Sequence, residues 1–169
     1  MKERLLISKE EISKRIEELG RKISEDYAGK EPILVCILKG AVYFAIDLTR
    51  HLTIPFVIDF MSISKYSGSS SGIVRITKDL DVDISQRDVI IIEDIVDTGL
   101  TLGYLMRNLR TRNPLSLKVC TLLDCPSRRI VEIPIDYKGF EIPDVFVVGY
   151  GLDYRERYRN LLDIMILEE

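Results

Sequence analysis

The sequence predicts a three-layer α/β fold in which a mainly parallel sheet is flanked by helices. The prediction rests on uninterrupted apolar runs, such as Ile33 to Leu38 and Val89 to Ile92, and on the stretches with helical spacing that alternate with them. Strands without polar alternation are typical of a parallel sheet that helices cover on both faces. Because the chain has 169 residues and no repeat or long linker, we expect a single domain over residues 1–169.

The first predicted element is an amphipathic helix. Ser8 and Glu11 have the spacing of a capping box, and the helical spacing of apolar residues stops at Tyr27-Ala28-Gly29. The apolar face consists of Ile12, Ile16, Leu19 and Ile23. Because Met1 to Glu11 is charged and then helical in pattern, we do not expect it to be a secretory signal.

The next segments alternate strand, turn and helix. Ile33 to Leu38 is a predicted strand that stops at the turn Lys39-Gly40, and residues compatible with a helix fill Ala41 to Leu52. A second strand is predicted within Ile54 to Ile63. Ser64 to Gly72 then contains too much Ser and Gly to be buried, and it is interpreted either as a functional lid or as a plain hairpin connection.

More strands are predicted in the rest of the chain. Glu93-Asp94 directly follows one of them, and Thr98-Gly99 opens a helix that continues to Leu109. These strands are Ile73 to Ile76, Val89 to Ile92, Leu117 to Leu123 and Phe146 to Val148.

The composition argues against several classes of partner. With 24 basic and 27 acidic residues the net charge is −3, so the chain lacks the basic field that holds nucleic acid. No segment approaches the roughly 20 apolar residues of a membrane helix, and we expect a soluble, cytoplasmic protein with neither nucleic acid nor membrane as partner. The three cysteines, Cys36, Cys120 and Cys125, indicate neither a disulfide framework nor a metal site.

The segment Glu93 to Thr101 carries the most chemistry. It follows an apolar strand, and ligands of parallel α/β sheets bind beyond the carboxyl ends of the strands. Three carboxylates stand there beside a turn whose hydroxyls and free N–H groups, at a helix N-terminus, favour a phosphate. The carboxylates require hydroxyls, a cation or a mobile proton as partners. Phosphoribosyl pyrophosphate, with its phosphate, diol and magnesium-bound pyrophosphate, satisfies all these groups. A receiver-domain acidic pocket and a merely solvated strand end are the alternatives.

Two sets of segments carry a resemblance to a known family. Val89 to Leu102, VIIIEDIVDTGLTL, resembles the phosphoribosyl pyrophosphate signature of the type I phosphoribosyltransferases. Segments across nearly the whole chain resemble the hypoxanthine-guanine branch of that family, above all Gly139 to Asp144 and Phe146 to Tyr154. The others are Ile37 to Gly40, Val57 to Phe60, Ser71 to Val74 and Thr121 to Asp124.

The resemblance implies both a fold and an activity. The fold is the three-layer domain with a small hood formed by the N- and C-terminal segments. The activity is Mg²⁺-dependent transfer of phosphoribose from phosphoribosyl pyrophosphate to hypoxanthine or guanine, which gives IMP or GMP in purine salvage. The resemblance also implies a homodimer or homotetramer.

The resemblance further implies roles for the residues of the signature. Glu93 and Asp94 face the ribose hydroxyls, for which paired carboxylates are suitable acceptors. Asp97 lies beside N7 of the purine and acts as general base. The segment Thr98, Gly99, Leu100 and Thr101 holds the 5′-phosphate, with Leu100 at a position where other members often carry Lys.

Residues outside the signature complete the implied site for the leaving group. One Mg²⁺ binds the pyrophosphate and the diol beside Glu93 and Asp94, and a second binds Asp153. The pyrophosphate also contacts Lys39, Gly40 and Arg159, and in the family the Leu38–Lys39 peptide can be cis. Tyr66 belongs to the implied lid, where Lys65 replaces the usual Ser; the lid closes over the reacting centre and excludes water.

The base pocket is implied to contain Phe146, which stacks on the purine, and Val147, whose backbone groups meet its edge; an ordinary buried aromatic is the alternative for Phe146. Cys125 stands where related sequences have a Lys that donates to the exocyclic oxygen of the base. The missing donor predicts a weakened or altered base preference, including a shift towards xanthine. A comparison of guanine, hypoxanthine, xanthine and adenine in Cys125→Lys tests this. The alternative function is a non-catalytic nucleotide-binding regulator on the same fold.

Overall fold

The structure is a computed structural model that describes residues 2–66 and 73–168, without the side chains of residues 65, 66 and 73. Residues 67–72 of the predicted lid, and the side chain of Tyr66, therefore lie outside the described part. In chain order the described elements are β1 (Lys2–Ile7), α1 (Lys9–Asp26), β2 (Ile33–Leu38), α2 (Val42–Thr49), β3 (Val57–Tyr66), β4 (Ile73–Lys78), β5 (Asp88–Val96), α3 (Leu100–Arg110), β6 (Ser116–Asp124), β7 (Tyr137–Glu141), β8 (Val147–Val148) and β9 (Ile164–Glu168).

The main sheet has the strand order β4-β3-β2-β5-β6-β7. All of its described pairings are parallel except that of β3 with β4, which is antiparallel. At the centre of the sheet Ile33 pairs with Val57 on one side and with Val89 on the other. The parallel strands therefore end together at one edge of the sheet, where the turns into α2 and α3 begin.

Helices cover both faces of this sheet. Leu34 and Cys36 of β2 pack on the face that carries α1 and α2, with Phe44 at the centre of that layer. The alternate residues of the same strand, such as Val35, pack on the face that carries α3, with Leu105 buried there. Because β2 is buried on both faces, its sequence is uniformly apolar. The predicted three-layer α/β fold is confirmed.

A small antiparallel sheet, with the order β1-β9-β8, forms the implied hood. Lys2 pairs with Glu168 and Val147 with Ile166, so both ends of the chain build it. The apolar run at 146–148 is thus a strand, but it belongs to the hood and not to the parallel sheet. It has two residues, and its partner β9 is antiparallel.

Local predictions at the element ends are partly confirmed. The capping box is present, with Ser8 and Glu11 each accepting from the other's backbone N–H. The Leu38–Lys39 peptide is cis. The strand predicted to stop at Ile92 instead continues to Val96, so Glu93 and Asp94 lie within β5. In the part of the chain that the structure describes, no helix is long and apolar enough to cross a membrane.

Candidate active site

A cleft of about 240 Å³ lies between the carboxyl edge of the main sheet and the hood. The main sheet contributes residues from the end of β5 and from the turns after β5 and β6, and the hood contributes β8 and the loops on either side of it. The lining residues are Asp94, Ile95, Asp97, Arg128, Val145, Phe146, Val147, Leu152 and Asp153. The fold therefore brings three carboxylates, one guanidinium and an aromatic ring to one opening.

The acidic pair at the end of β5 is held in a shielded environment. Glu93 is 9% exposed, and burial, reinforced by the charge of Asp94, raises its pKa well above the ordinary value. Burial also raises the pKa of Asp94 to about 6, while Arg159 opposes and Asp153 reinforces that rise. Charged carboxylates are costly in such surroundings unless a partner neutralises them. Asp94, which lines the cleft, is suited to a ligand that supplies hydroxyl donors or a cation, whereas Glu93 is buried and is not among the residues that line the cleft.

Asp94 is held in place by its neighbours. Its Oδ1 accepts the backbone N–H of Ile95 at 2.7 Å. Its Oδ2 lies so close to Gly40 that a Cβ atom there would overlap it. Glycine at position 40 is therefore required by this close approach.

The turn from β5 into α3 exposes a helix N-terminus. Gly99 caps α3 in the left-handed conformation (φ 80°), and no side chain caps the helix. The first backbone N–H groups of a helix lack intrahelical partners and carry its positive dipole end. Thr101 Oγ1 is buried without a hydrogen-bond partner in the described part of the chain. Leu100, the first residue of α3, is 49% exposed. The turn can hold a phosphate.

Asp97 stands at the start of this turn and lines the cleft. Its Oδ1 accepts the N–H of Thr98 at 2.7 Å, and its Oδ2 lies 3.6 Å from Nη1 of Arg128. Oδ2 therefore faces the cleft side of the turn with only a loose ion pair, and it is available to accept a proton from a bound ligand.

A buried ion cluster supports the backbone of Asp97. Arg129 donates from Nε to the carbonyl of Asp97 at 2.9 Å, and its guanidinium also pairs with Asp124. Asp124 is 3% exposed and accepts a second cation, Lys138, at 2.7 Å. The cluster ties β6 and β7 to the turn after β5. None of these residues was among the sequence-predicted site residues, although Asp124 and Arg129 lie at and after a strand end, where ligand-supporting residues are expected.

Lys39 and Arg159, the two cationic residues predicted to contact the pyrophosphate, both form ion pairs with Glu156. Lys39 Nζ and Arg159 Nη2 lie 3.1 Å and 3.4 Å from the carboxylate of Glu156, which holds the pKa of Glu156 below its ordinary value. Arg159 also pairs with Asp153 at 3.3 Å and donates to the carbonyl of Gly151 at 2.7 Å. Sequence reasoning missed Glu156, an exposed residue in an irregular loop with no periodic pattern to mark it.

Of the three residues predicted for the base pocket, two line the cleft and one is buried in the core. Phe146 is 53% exposed, lines the cleft and packs edge-on against Tyr154, so it is not an ordinary buried aromatic. Val147 also lines the cleft. Cys125 is 2% exposed and lies outside the lining, with Sγ 3.6 Å from the carbonyl oxygen of Pro143. The structure brings Phe146 and Val147 to Asp97 and leaves the Cys125 thiol in the core.

A family of known proteins matches most of the chain. Residues 6–155 match the family described as phosphoribosyl transferase domain. The chain belongs to the phosphoribosyltransferase family. This family member is 53% identical over 172 residues to the hypoxanthine-guanine phosphoribosyltransferase of Mycobacterium avium, covering 97% of this chain and 85% of the relative.

Solved structures of the same branch share its fold. A hypoxanthine-guanine phosphoribosyltransferase from Bacillus anthracis superimposes with a TM-score of 0.93 at 44% identity, over 97% of this chain and 98% of that one. A mutant of the Trypanosoma cruzi hypoxanthine phosphoribosyltransferase, complexed with the product IMP, gives 0.92 at 42% identity, over 97% and 89%. The resemblance read from the sequence is confirmed.

The carboxylates that line the cleft fit a magnesium ion that is also bound by a substrate. Among residues 2–66 and 73–168 no group of three or more His, Cys, Asp or Glu side chains is arranged to hold a metal by itself. Mg²⁺ is commonly held by one or two carboxylates together with the phosphates of a substrate. Oxygen donors from Asp94 and Asp153, both on the cleft, have that chemistry.

Proposed function

We propose that this phosphoribosyltransferase transfers the 5-phosphoribosyl group of phosphoribosyl pyrophosphate to N9 of hypoxanthine or guanine, giving IMP or GMP and pyrophosphate in purine salvage. One observation carries the proposal. The carboxylate of Asp97 lies just before an uncapped helix N-terminus and faces the same cleft as the exposed ring of Phe146. The proposed proton acceptor and the proposed stacking surface therefore share one opening, and the proposed phosphate site follows Asp97 directly in the chain.

The sugar donor is held by two features. The N-terminus of α3 receives the 5′-phosphate, because free N–H groups and the helix dipole favour an anion, and the unpartnered Thr101 hydroxyl, within the described part of the chain, adds a donor. The shielded acids Glu93 and Asp94 accept hydrogen bonds from the 2′- and 3′-hydroxyls. The diol relieves the cost of burying these charges, so donor binding and neutralisation of the acids support each other.

Asp97 handles the proton during the transfer. The bond between C1′ and the pyrophosphate oxygen breaks, the bond between C1′ and N9 forms, and the proton on the imidazole ring of the base passes from N7 to Oδ2 of Asp97. The hydrogen bond from Thr98 to Oδ1 orients the carboxylate, and the buried Arg129 fixes its backbone. A positioned general base contributes about 10² to 10⁴ in rate.

The side chains of Lys39 and Arg159 are the cations proposed to bind the departing pyrophosphate. In the ligand-free structure both side chains contact Glu156, and the guanidinium of Arg159 is also bound to the carbonyl of Gly151. Bound Mg²⁺, with Glu93, Asp94 and Asp153 as the proposed ligands, would supply further neutralisation of the leaving group. The proposed lid around Tyr66 excludes water from the reacting centre. A homo-oligomeric assembly and a cytoplasmic location remain predictions.

A turnover assay with each base tests the proposal. Incubation with phosphoribosyl pyrophosphate, Mg²⁺ and hypoxanthine or guanine should yield IMP or GMP. Asp97→Asn should lower kcat by about 10² or more while leaving the Kd for phosphoribosyl pyrophosphate within about twofold, because Asn keeps the acceptor for Thr98 but cannot take the proton. Undiminished activity of Asp97→Asn would contradict the assigned base. Tight nucleotide binding without turnover of any base would favour the non-catalytic regulator instead.

A further inference from the structure

Arg128 occupies the cleft in a position that the reaction described above does not use. It follows β6 in the short 3₁₀ turn Pro126–Arg128, and it is the cationic side chain among the described residues that line the cleft. The structure assigns to Arg128 the selection of 6-oxopurines: its guanidinium donates to O6 of the base while Asp97 receives the proton of N7. This inference rests on the proposed function and names the residue that sets its base preference.

The guanidinium of Arg128 has donors to spare. It spans two acids, with Nη1 3.6 Å from Oδ2 of Asp97 and Nε 3.6 Å from Oδ1 of Asp144. Both distances exceed those of good N–H···O hydrogen bonds, so the acids hold the side chain at the cleft without saturating its N–H groups. Its side chain is 47% exposed, which leaves it free to adjust to a ligand.

The pairing of Arg128 with Asp97 matches one edge of the base. O6 and N7 are adjacent on the purine, and they present acceptors that an arginine recognises in guanine. When N7 of the free base carries a proton, this edge of the purine presents an acceptor, O6, beside a donor, N7–H. The guanidinium of Arg128 can donate to O6, and the carboxylate of Asp97 can accept from N7–H. Adenine places an amino group at the same position, so two donors would face each other and remain unpaired. The arrangement therefore favours 6-oxopurines over adenine.

Cys125 cannot make this selection. Cys125 is 2% exposed, and the described polar neighbours of its Sγ are Oγ of Ser127 and the carbonyl of Pro143, both at 3.6 Å. A thiol is also a weak donor. Because hypoxanthine, guanine and xanthine all carry O6, an Arg128 contact treats the three alike at this position, and the replacement at position 125 need not shift the preference towards xanthine.

Equilibrium binding of the product nucleotides tests this inference separately from turnover. IMP, GMP and AMP are titrated into the wild-type protein, Arg128→Met and Arg21→Met. Met keeps much of the length of the side chain without its donors, and Arg21 is a matched control, an exposed arginine on α1 that pairs with Glu17. Arg128→Met should weaken IMP and GMP by about ten- to a hundredfold, the range for a charged hydrogen bond, and leave AMP within about twofold. Arg21→Met should change none of the three.

The outcomes separate the two proposals. Equal losses for IMP and AMP in Arg128→Met, or no loss for either, would overturn the assignment of Arg128, whatever the turnover assay gives. A wild-type protein that binds IMP but turns over no base would remove the proposed transferase activity, while the ratio of IMP to AMP affinity would still test Arg128. Because the ion pairs of Arg128 are loose, its replacement is expected to leave the melting temperature unchanged.

Discussion

The carboxylate of Asp94 lies directly against the Cα atom of Gly40, although 54 positions separate the two residues along the chain. One belongs to the end of β5, and the other belongs to the turn that follows β2. The proposed diol site and the proposed pyrophosphate site thus share a wall that has no room for a side chain. A side chain added at position 40 must therefore displace the carboxylate of Asp94.

Gly40→Ala is therefore expected to be more damaging to activity than its size suggests. The added Cβ would overlap Oδ2 of Asp94 and push the carboxylate out of its position. We expect kcat/KM for phosphoribosyl pyrophosphate to fall by about 10² and the stability to fall by about 1 to 3 kcal/mol, which steady-state kinetics and urea unfolding measure. Gly103→Ala in α3 is the matched control, since its Cβ would meet only ordinary contacts at 3.5 Å or more. Equal activity of both variants would contradict the proposed wall.

The ion cluster behind Asp97 gives a paired prediction. Arg129→Met removes the donor to the Asp97 carbonyl and one partner of buried Asp124, so both stability and kcat should fall, stability by about 3 kcal/mol. Lys138→Gln removes the other partner of Asp124 but no contact to the Asp97 turn. It should lower the melting temperature while keeping kcat within about twofold. If kcat fell equally in both variants, Arg129 would have no positioning role.

Glu156 is expected to restrain the leaving-group cations. In the ligand-free protein its carboxylate contacts both Lys39 and Arg159. Glu156→Gln should free these cations for the pyrophosphate and lower the Kd for phosphoribosyl pyrophosphate by up to about fivefold, the range of exposed ion pairs. Calorimetric titration at low and high salt measures it, and the gain should shrink at high salt. Weaker donor binding in Glu156→Gln would show that the acid organises the site and does not compete for it.

Asp94 predicts how the stability of the ligand-free protein depends on pH. Its pKa rises from the ordinary 3.8 to about 6 in the folded chain, so between these values the folded protein holds a proton that the unfolded chain has lost. Folding stability should therefore fall as pH rises through this window. Asp94→Asn should remove that part of the fall and raise stability at neutral pH by at most about 3 kcal/mol while impairing catalysis.

Urea unfolding in the presence of a chelator, at several pH values, measures this effect. Asp26→Asn is a control of opposite sign, because hydrogen bonds from Tyr137 and Lys22 lower the pKa of Asp26 and its charge stabilises the fold above that pKa. Asp26→Asn should therefore lose stability at neutral pH. Identical pH profiles for the wild-type protein and Asp94→Asn would show that Asp94 is ionised as easily in the folded chain as in the unfolded one.

The sequence predicted the parallel layers because their strands are short and apolar throughout. Ile33 to Leu38 was assigned with correct bounds, since Lys39-Gly40 marks its end by composition. The hood was harder to predict from pattern. The apolar run at 146–148 predicted a strand but not its place in the hood, and β1 pairs with β9 across nearly the whole chain, where no local pattern links them. The prediction of a hood came from the resemblance alone.

The part of the candidate site that lies in one contiguous segment could be predicted from its residue types. The acids and the turn proposed to bind the phosphate form one contiguous segment, so their proximity follows from the backbone. Arg128 and Glu156 reach the site from irregular segments, and their contacts are made by flexible side chains that no periodicity records. Cys125 shows the reverse case: its place in the chain suggested the base pocket, but a short thiol cannot extend from the core as a longer side chain would.

The pairing of β1 with β9 also makes the two sides of the cleft unequal in how local their supporting contacts are. The phosphate turn and α3 are complete at Arg110, while the wall of the cleft at Val147 is held by Ile166, which itself lies opposite Arg4. Contacts of such long sequence separation form late. The cleft wall at Val147 therefore depends on contacts that span nearly the whole sequence, so loosening β1 or β9 is expected to disturb the proposed base side of the cleft before the turn that precedes α3.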